Sequence, residues 1–276
     1  MKVVLFTNAR DESHLREWAA HHLLLGFDNI VIFDHKSKIP LSIDFSHFDK
    51  RVRIINCGNM EGAIKMKLMS LAANIAMRLK ADWMLYLDAD EFIVLNTLIS
   101  KIAGIKQFLA KFNGVDQLAV NWLMYGTSGI INELSLSNGD LILEKYTRSD
   151  ELLNNHVKCF VRPHLVEGAD NPHFFRTKTP HRNYGIDGGH FSPPFHNVKL
   201  PFYMAPIYIA HYVYQSENTY KKRKLNLPRD DNGGMRTDND VSHIHKQYNV
   251  RDNFLASRLY SLAVRTFLIH KNIIRP

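Results

Sequence analysis

The chain has 276 residues, 45% hydrophobic and 22% charged, the composition of an ordinary globular protein, which excludes whole-chain disorder, collagen and coiled coil. One large α/β domain of this length buries enough surface to need neither disulfides nor structural zinc, and the two cysteines, Cys57 and Cys159, define no framework, so a reducing, cytoplasmic setting is expected. The net charge of +8 is uneven: residues 201–276 hold twelve Lys and Arg against six Asp and Glu, which fits an anionic partner such as a nucleotide diphosphate, nucleic acid or a membrane surface.

In chain order, residues 2–7 read as a short buried strand, and the short apolar run at 3–6 gives way at once to Asn8, Arg10, Asp11 and Glu12, which is unlike a signal peptide. Leu15, Trp18, Ala19, His22 and Leu23 share one helical face, with Gly26 as a stop. Apolar, β-branched runs at 29–33 and 52–55 predict two more strands, 63–79 a long helix, and 83–87 a fourth strand. This alternation predicts a doubly wound, mostly parallel sheet flanked by helices, with ligands at the carboxyl ends of its strands, where Thr7, Asp34, Asn56 and Asp88 fall. Further on, 98–112 reads as helix, 116–124 and 156–162 as strands, 206–212 as a strand, and 217–225 and 253–270 as helices. Between them, 170–206 is rich in Pro, Gly, His and aromatics without a clean period, the mark of a functional loop. No apolar run approaches the ~18 residues of a membrane span.

The strongest chemical signal is Asp88-Ala89-Asp90-Glu91 at the end of the strand 83–87. Side chains two apart on a strand share a face, and no Lys or Arg lies in residues 83–92, so the two carboxylates are expected to repel unless a divalent cation, Mn²⁺ or Mg²⁺, holds them. A second D-x-D, Asp238-Asn239-Asp240, follows no strand and is set aside. Haloacid-dehalogenase phosphatases place such a motif after an early strand and do not follow it with Phe92. A metal-dependent nucleotidyltransferase would need a Gly-rich loop after the first strand, where this chain has only Gly26 in fifty residues. A basic nucleic-acid-binding protein would account for the charge and leave Asp88 and Asp90 without a purpose.

Several blocks resemble the GT-A-fold glycosyltransferases of the family-two-like group, related to glycosyltransferase family ninety-two. They are Asn8-Ala9-Arg10-Asp11-Glu12 with the following Glu17-Trp18 helix and Leu25-Gly26-Phe27, then Ile32-Phe33-Asp34-His35-Lys36-Ser37, and Leu87-Asp88-Ala89-Asp90-Glu91-Phe92. Later come Asn121-Trp122-Leu123-Met124-Tyr125-Gly126-Thr127-Ser128-Gly129, Lys158 to Pro163, His173, His211-Tyr212-Val213-Tyr214-Gln215-Ser216 and Arg229-Asp230-Asp231. Gln215 and Pro228 depart from the family pattern, on the acceptor side.

The resemblance implies a GT-A domain over 1–215, with a nucleotide half at 1–95 and an acceptor half at 96–215, and a basic helical extension at 216–276 open to peripheral membrane contact. It implies metal-dependent transfer of a sugar from a UDP-linked donor to a glycan or other hydroxyl acceptor, without nucleic acid. Thr7, Asn8 and Glu12 would lie by the nucleotide, Asp34 would read the base, Asp88 would face the ribose and metal, and Asp90 and His211 would ligate the metal. Metal and cations stabilise the charge that develops on a departing diphosphate. Arg229 is the preferred phosphate ligand, with Lys221–Lys224 read mostly as a solvated helix face. A base for the acceptor hydroxyl is sought among Asp231, Asp187 and Asp170, with preference for Asp231. His173, His181, His190 and His196 are expected to line or hold the irregular loop, and Trp122 and Tyr125 either to stack on a sugar or to pack in the core.

Overall fold

The structure, a computed structural model, describes residues 1–225, 228–229, 232–237 and 246–276. Its strands are β1 (Val3–Ala9), β2 (Asn29–Asp34), β3 (Val52–Asn56), β4 (Trp83–Tyr86), β5 (Glu91–Leu95), β6 (Gln117–Met124), β7 (Arg148–Ser149), β8 (Val157–Val161), β9 (Val166–Asn171), β10 (Phe174–Thr177), β11 (Asn183–Gly185), β12 (Ile207–His211) and β13 (Arg251–Asp252). Its helices are α1 (Leu15–Leu24), α2 (Leu41–Asp44), α3 (Lys65–Arg78), α4 (Thr97–Ser100), α5 (Ile105–Leu109), α6 (Ile142–Lys145), α7 (Glu217–Tyr220), which runs into a π-helical turn at Lys221–Leu225, and α8 (Leu255–His270).

Among the described residues the central sheet has nine strands in the order β3-β2-β1-β4-β8-β6-β12-β5, with β11 on β6. It is the mostly parallel α/β sheet that the strand–helix alternation predicts. β1, β2, β3 and β4 run parallel, as do β6 and β12, whereas β8 runs antiparallel between β4 and β6, and β5 antiparallel to β12. The strands are apolar on both faces because helices cover both: β1, β4, β5, β6, β8 and β12 are buried throughout.

The two reversed strands position the site. Since β8 is antiparallel, its first residues lie beside the carboxyl ends of its neighbours, with Lys158 opposite Val120. Since β5 is antiparallel, its first residue, Glu91, lies opposite His211 at the end of β12. The backbone N–H of Tyr212 donates to Asp90 O at 2.9 Å, which locks the turn carrying Asp90 to that strand end.

The helix expected at 98–112 is instead two short ones, because Lys101 takes a left-handed conformation (φ 52°) and Gly104 is extended. The stretch 170–206 contains the end of a β9–β10 hairpin and β11 rather than uniform loop. Gly26, at φ 100°, ends α1 as expected, since left-handed backbone there favours glycine. No helix of the described residues is long and apolar enough to cross a membrane.

Candidate active site

A cleft of about 370 Å³ opens at the carboxyl ends of the parallel strands. Its described lining holds six cations, Arg10, Lys65, Lys158, Arg223, Arg229 and Arg236, against three carboxylates, Glu12, Asp88 and Asp90. Asn8, Trp122, His156, His173 and His211 complete most of the wall.

Asp88 does not meet an empty acidic pocket. Lys65, at the start of α3, and Lys158, in β8, both donate to it, Lys158 at 3.0 Å, and both lysines are almost fully buried. Burial alone would raise the Asp88 pKa, but Lys158 and Lys65 outweigh it and hold the carboxyl well below the ordinary range. The expected repulsion between Asp88 and Asp90 is thus relieved by cations from distant sequence, and Asp88 is an ion-paired carboxylate in this structure. Lys65 Nζ also donates to Asn8 Oδ1 at 3.0 Å, which in turn accepts from Tyr86 Oη at 3.1 Å.

Asp90, 1% exposed, meets His211 as expected: Asp90 Oδ1 lies 3.7 Å from His211 Nε2. Its other oxygen is 3.6 Å from Arg223, whose guanidinium also donates to Glu12 at 2.5 Å. Beneath them Glu91 accepts the Asp88 backbone N–H at 2.8 Å. Burial pushes the Glu91 carboxyl up to about 8, opposed by Lys158.

A carboxylate oxygen and an imidazole nitrogen at this separation can share one ion, since metal–ligand bonds run to ~2.0–2.2 Å. Asp90 and His211 therefore fit a divalent cation as a pair. No group of three or more such ligands converges among the described residues.

The other expected residues divide. Asn8, Glu12 and Arg229 line the cleft. Thr7 does not: it is fully buried behind the wall and its hydroxyl bonds Asn8 O at 3.3 Å. Asp34 does not either: its two oxygens accept the backbone N–H groups of Ser37 (3.2 Å) and Leu41 (2.9 Å), so it folds the loop before α2. Asp187 pairs with His196 at 2.9 Å and Asp170 with Arg176, both outside the cleft lining. Asp230, Asp231, Asp238 and Asp240 lie outside the described residues. Tyr125 packs in the core, whereas Trp122 reaches the cleft.

Sequence reasoning gave no site role to Lys65, Lys158, Arg10, Arg236 and His156, although Arg10 and Lys158 fall in blocks that carry the resemblance, and it ranked Arg223 with a solvated face. One signal was available: Lys158 is the single charge inside an otherwise apolar strand, and Lys65 the single cation on the buried side of α3. Lys221 and Lys222 do stay outside, on Glu217 and Glu133, while the π-turn swings Arg223 inward. Such turns recur at functional sites. Arg10 is held toward the cleft by His35, whose carbonyl accepts Arg10 Nε–H at 2.9 Å and whose Nδ1 lies 2.5 Å from Nη2.

No family model matches this chain, and no curated protein does. Similar solved structures include residues 1–349 of S. aureus TarS, 17% identical with a TM-score of 0.39 over 60% of this chain. The same protein has been solved in complex with UDP-GlcNAc, 18% identical with a TM-score of 0.39 over 60% of this chain and 46% of that one. HddC from Yersinia pseudotuberculosis is 14% identical with a TM-score of 0.39, over 80% of this chain and 97% of that one. The chain spans about half the length of TarS 1–349, 48%.

Proposed function

We infer that this cleft binds the diphosphate of a nucleotide sugar, UDP-linked in the favoured reading, and that the chain is a glycosyltransferase of GT-A type acting on a hydroxyl acceptor. One observation carries the reading: six cations and a carboxylate–imidazole pair, gathered from distant parts of the chain, line one small cavity at the carboxyl ends of parallel strands. Its excess of positive charge suits a diphosphate, and about 370 Å³ suits a small molecule rather than a nucleic-acid strand.

The residues have distinct tasks in this reading. Arg10, Arg223, Arg229 and Lys158 hold the diphosphate and oppose the negative charge that grows as the anomeric bond lengthens, which favours the transition state over the bound donor. Lys65 and Lys158 fix Asp88 at the rim, and Asn8 is oriented by Lys65 and Tyr86. Asp90 and His211 would hold Mn²⁺ or Mg²⁺, which would supply further positive charge next to the leaving diphosphate.

Thermal unfolding with UDP, uridine and Mn²⁺ tests this. At a hundredfold excess over Kd, binding adds about 2.7 kcal/mol, worth roughly 5 °C for a chain of this size. UDP is expected to produce such a shift and uridine to produce little, with a Mn²⁺-dependent increment that Asp90→Asn removes. If UDP leaves the midpoint unmoved, the nucleotide-sugar reading fails.

A further inference from the structure

Part of the cleft wall is built of rings, with Lys158 Nζ 5.9 Å from the centre of the Trp122 ring. Trp122 packs against His211 (4.3 Å between ring centroids), His173 (5.0 Å) and His156 (5.2 Å, planes 11° apart). His156 continues outward to Phe195 (4.9 Å, edge to face), which is 46% exposed.

The His156 tautomer is fixed by its surroundings. Asn154 Oδ1 accepts the His156 backbone N–H at 2.9 Å, which orients the amide, and the same oxygen lies 2.7 Å from His156 Nδ1. An acceptor at that position means that Nδ1 carries the proton and Nε2 keeps a lone pair. Burial holds the His156 pKa below the ordinary imidazole value and so favours the neutral ring. His173 has the same tautomer, with Nδ1 donating to Val157 O at 3.1 Å. Burial, with Lys158 adding to it, pushes His173 down to about 3, too weak a base for the task.

The described carboxylates of the cleft are occupied: Asp88 by two lysines, Glu12 and Asp90 by Arg223. We propose that His156 is the base that activates the acceptor, and that the acceptor is a pyranoside whose apolar face rests against Phe195. This rests on the nucleotide-sugar reading of the cleft. The acceptor O–H bond breaks toward His156 Nε2 as the acceptor oxygen bonds the anomeric carbon. The bond from that carbon to the diphosphate breaks, and its electron pair leaves with the diphosphate. Imidazolium then returns the proton to water. Asn154 is the positioning residue, because its oxygen keeps the other ring nitrogen protonated.

The experiment follows UDP binding by thermal shift, and UDP release from UDP-glucose and UDP-N-acetylglucosamine with methyl glucoside and methyl galactoside as acceptors. In His156→Ala, UDP affinity is expected to stay within about twofold, turnover to fall by about 100-fold or more, and added imidazole to restore at least about tenfold of it. Phe195→Ala is expected to raise the acceptor KM more than it lowers kcat. His156→Gln gives the same loss if the alanine variant does not fold. Near-normal turnover in His156→Ala with UDP still bound overturns the base and leaves the cleft reading standing, as does a loss that imidazole does not restore. A wild-type chain that binds no UDP, or releases none from either donor, overturns the cleft reading and the base with it.

Discussion

Asp88 sits in a turn without cations of its own, yet two lysines from α3 and β8 reach it. Burying two ammonium groups is costly unless both are paired, so the pairing ties the stability of the sheet to the electrostatics of the cleft. Lys158→Met is therefore expected to destabilise the fold by about 3 kcal/mol, measured by urea unfolding. That is the lower end for a broken buried pair, because Asp88 keeps Lys65 and reaches solvent on one side. Asp90→Asn acts differently: it leaves Arg223 and His211 in place and removes the charge between them. Sugar transfer is expected to fall by two or more orders of magnitude, each factor of ten being about 1.4 kcal/mol of transition-state stabilisation, with little change in folding. Asp34→Ala reverses that pattern. Losing an acceptor for two backbone N–H groups costs roughly 1–3 kcal/mol, while UDP binding is expected to stay unchanged. Weakened UDP binding in folded Asp34→Ala would return this residue to the site.

The first four strands, α1 and α3 were legible because each pairs a strong hydrophobic period with a stop signal. β5 was not: the apolar run that follows Glu91 continues the motif turn with no turn residue to announce a reversal, and its partner β12 lies over a hundred residues away. The convergence of Asp90 and His211 was legible only through family resemblance, because pairing register across such a distance leaves no local trace. α1 carries a further property that its apolar pattern hides. It buries Glu17, whose oxygens accept the Ile142 and Leu143 N–H groups at 2.8 and 3.0 Å and so start α6. Burial raises the Glu17 carboxyl to about 8, the two backbone N–H groups opposing it. His21 and His22 are lowered by burial, His21 to about 4. A carboxyl raised in the folded chain stabilises it fully below ~4.5 and loses that contribution as the pH rises through about 8. Histidines lowered in the folded chain act in the opposite sense, losing theirs as the pH falls from ~6.5 toward 4. Between about pH 7 and 8 the unfolded histidines are mostly neutral and the raised carboxyls outweigh them, so unfolding free energy is expected to decline there by up to about 1.4 kcal/mol per pH unit for each proton. Glu17→Gln should remove one share of that slope and Glu91 should retain the other; an unaltered slope would mean that Glu17 is ionised throughout.

The sequence reads residues 216–276 as an extension laid on a finished domain, and the packing bears on that division. Ala256, Val264 and Leu268 of α8, together with Ile274, belong to the same buried cluster as Trp18, Phe92 and Tyr212. Tyr260 Oη both donates to Leu95 O (2.6 Å) and accepts Leu95 N–H (2.9 Å), which gives the free side of β5 its partner. Arg223 likewise joins the segment after α7 to Glu12 and Asp90, so the cleft is complete only when the last quarter of the chain has folded back. Composition could not show this, because the basic surplus of 201–276 looks like a solvated surface while its apolar residues, spaced along one helix, do the packing. Each buried aliphatic or aromatic side chain contributes about 1.5–3 kcal/mol, and α8 brings Val264, Leu268, Leu259, Tyr260 and Phe267 into or against the core. Their sum approaches the whole net stability of a domain, about 5–15 kcal/mol. Deletion of residues 255–276 is therefore expected to abolish cooperative unfolding, with lost near-ultraviolet circular dichroism, rather than to trim a tail. The single substitution Leu268→Ala separates this from a general effect of truncation: a fully buried leucine cut to alanine is expected to cost about 2–5 kcal/mol while keeping a cooperative transition. A truncated chain that still unfolds cooperatively near the wild-type midpoint would restore the division at 215.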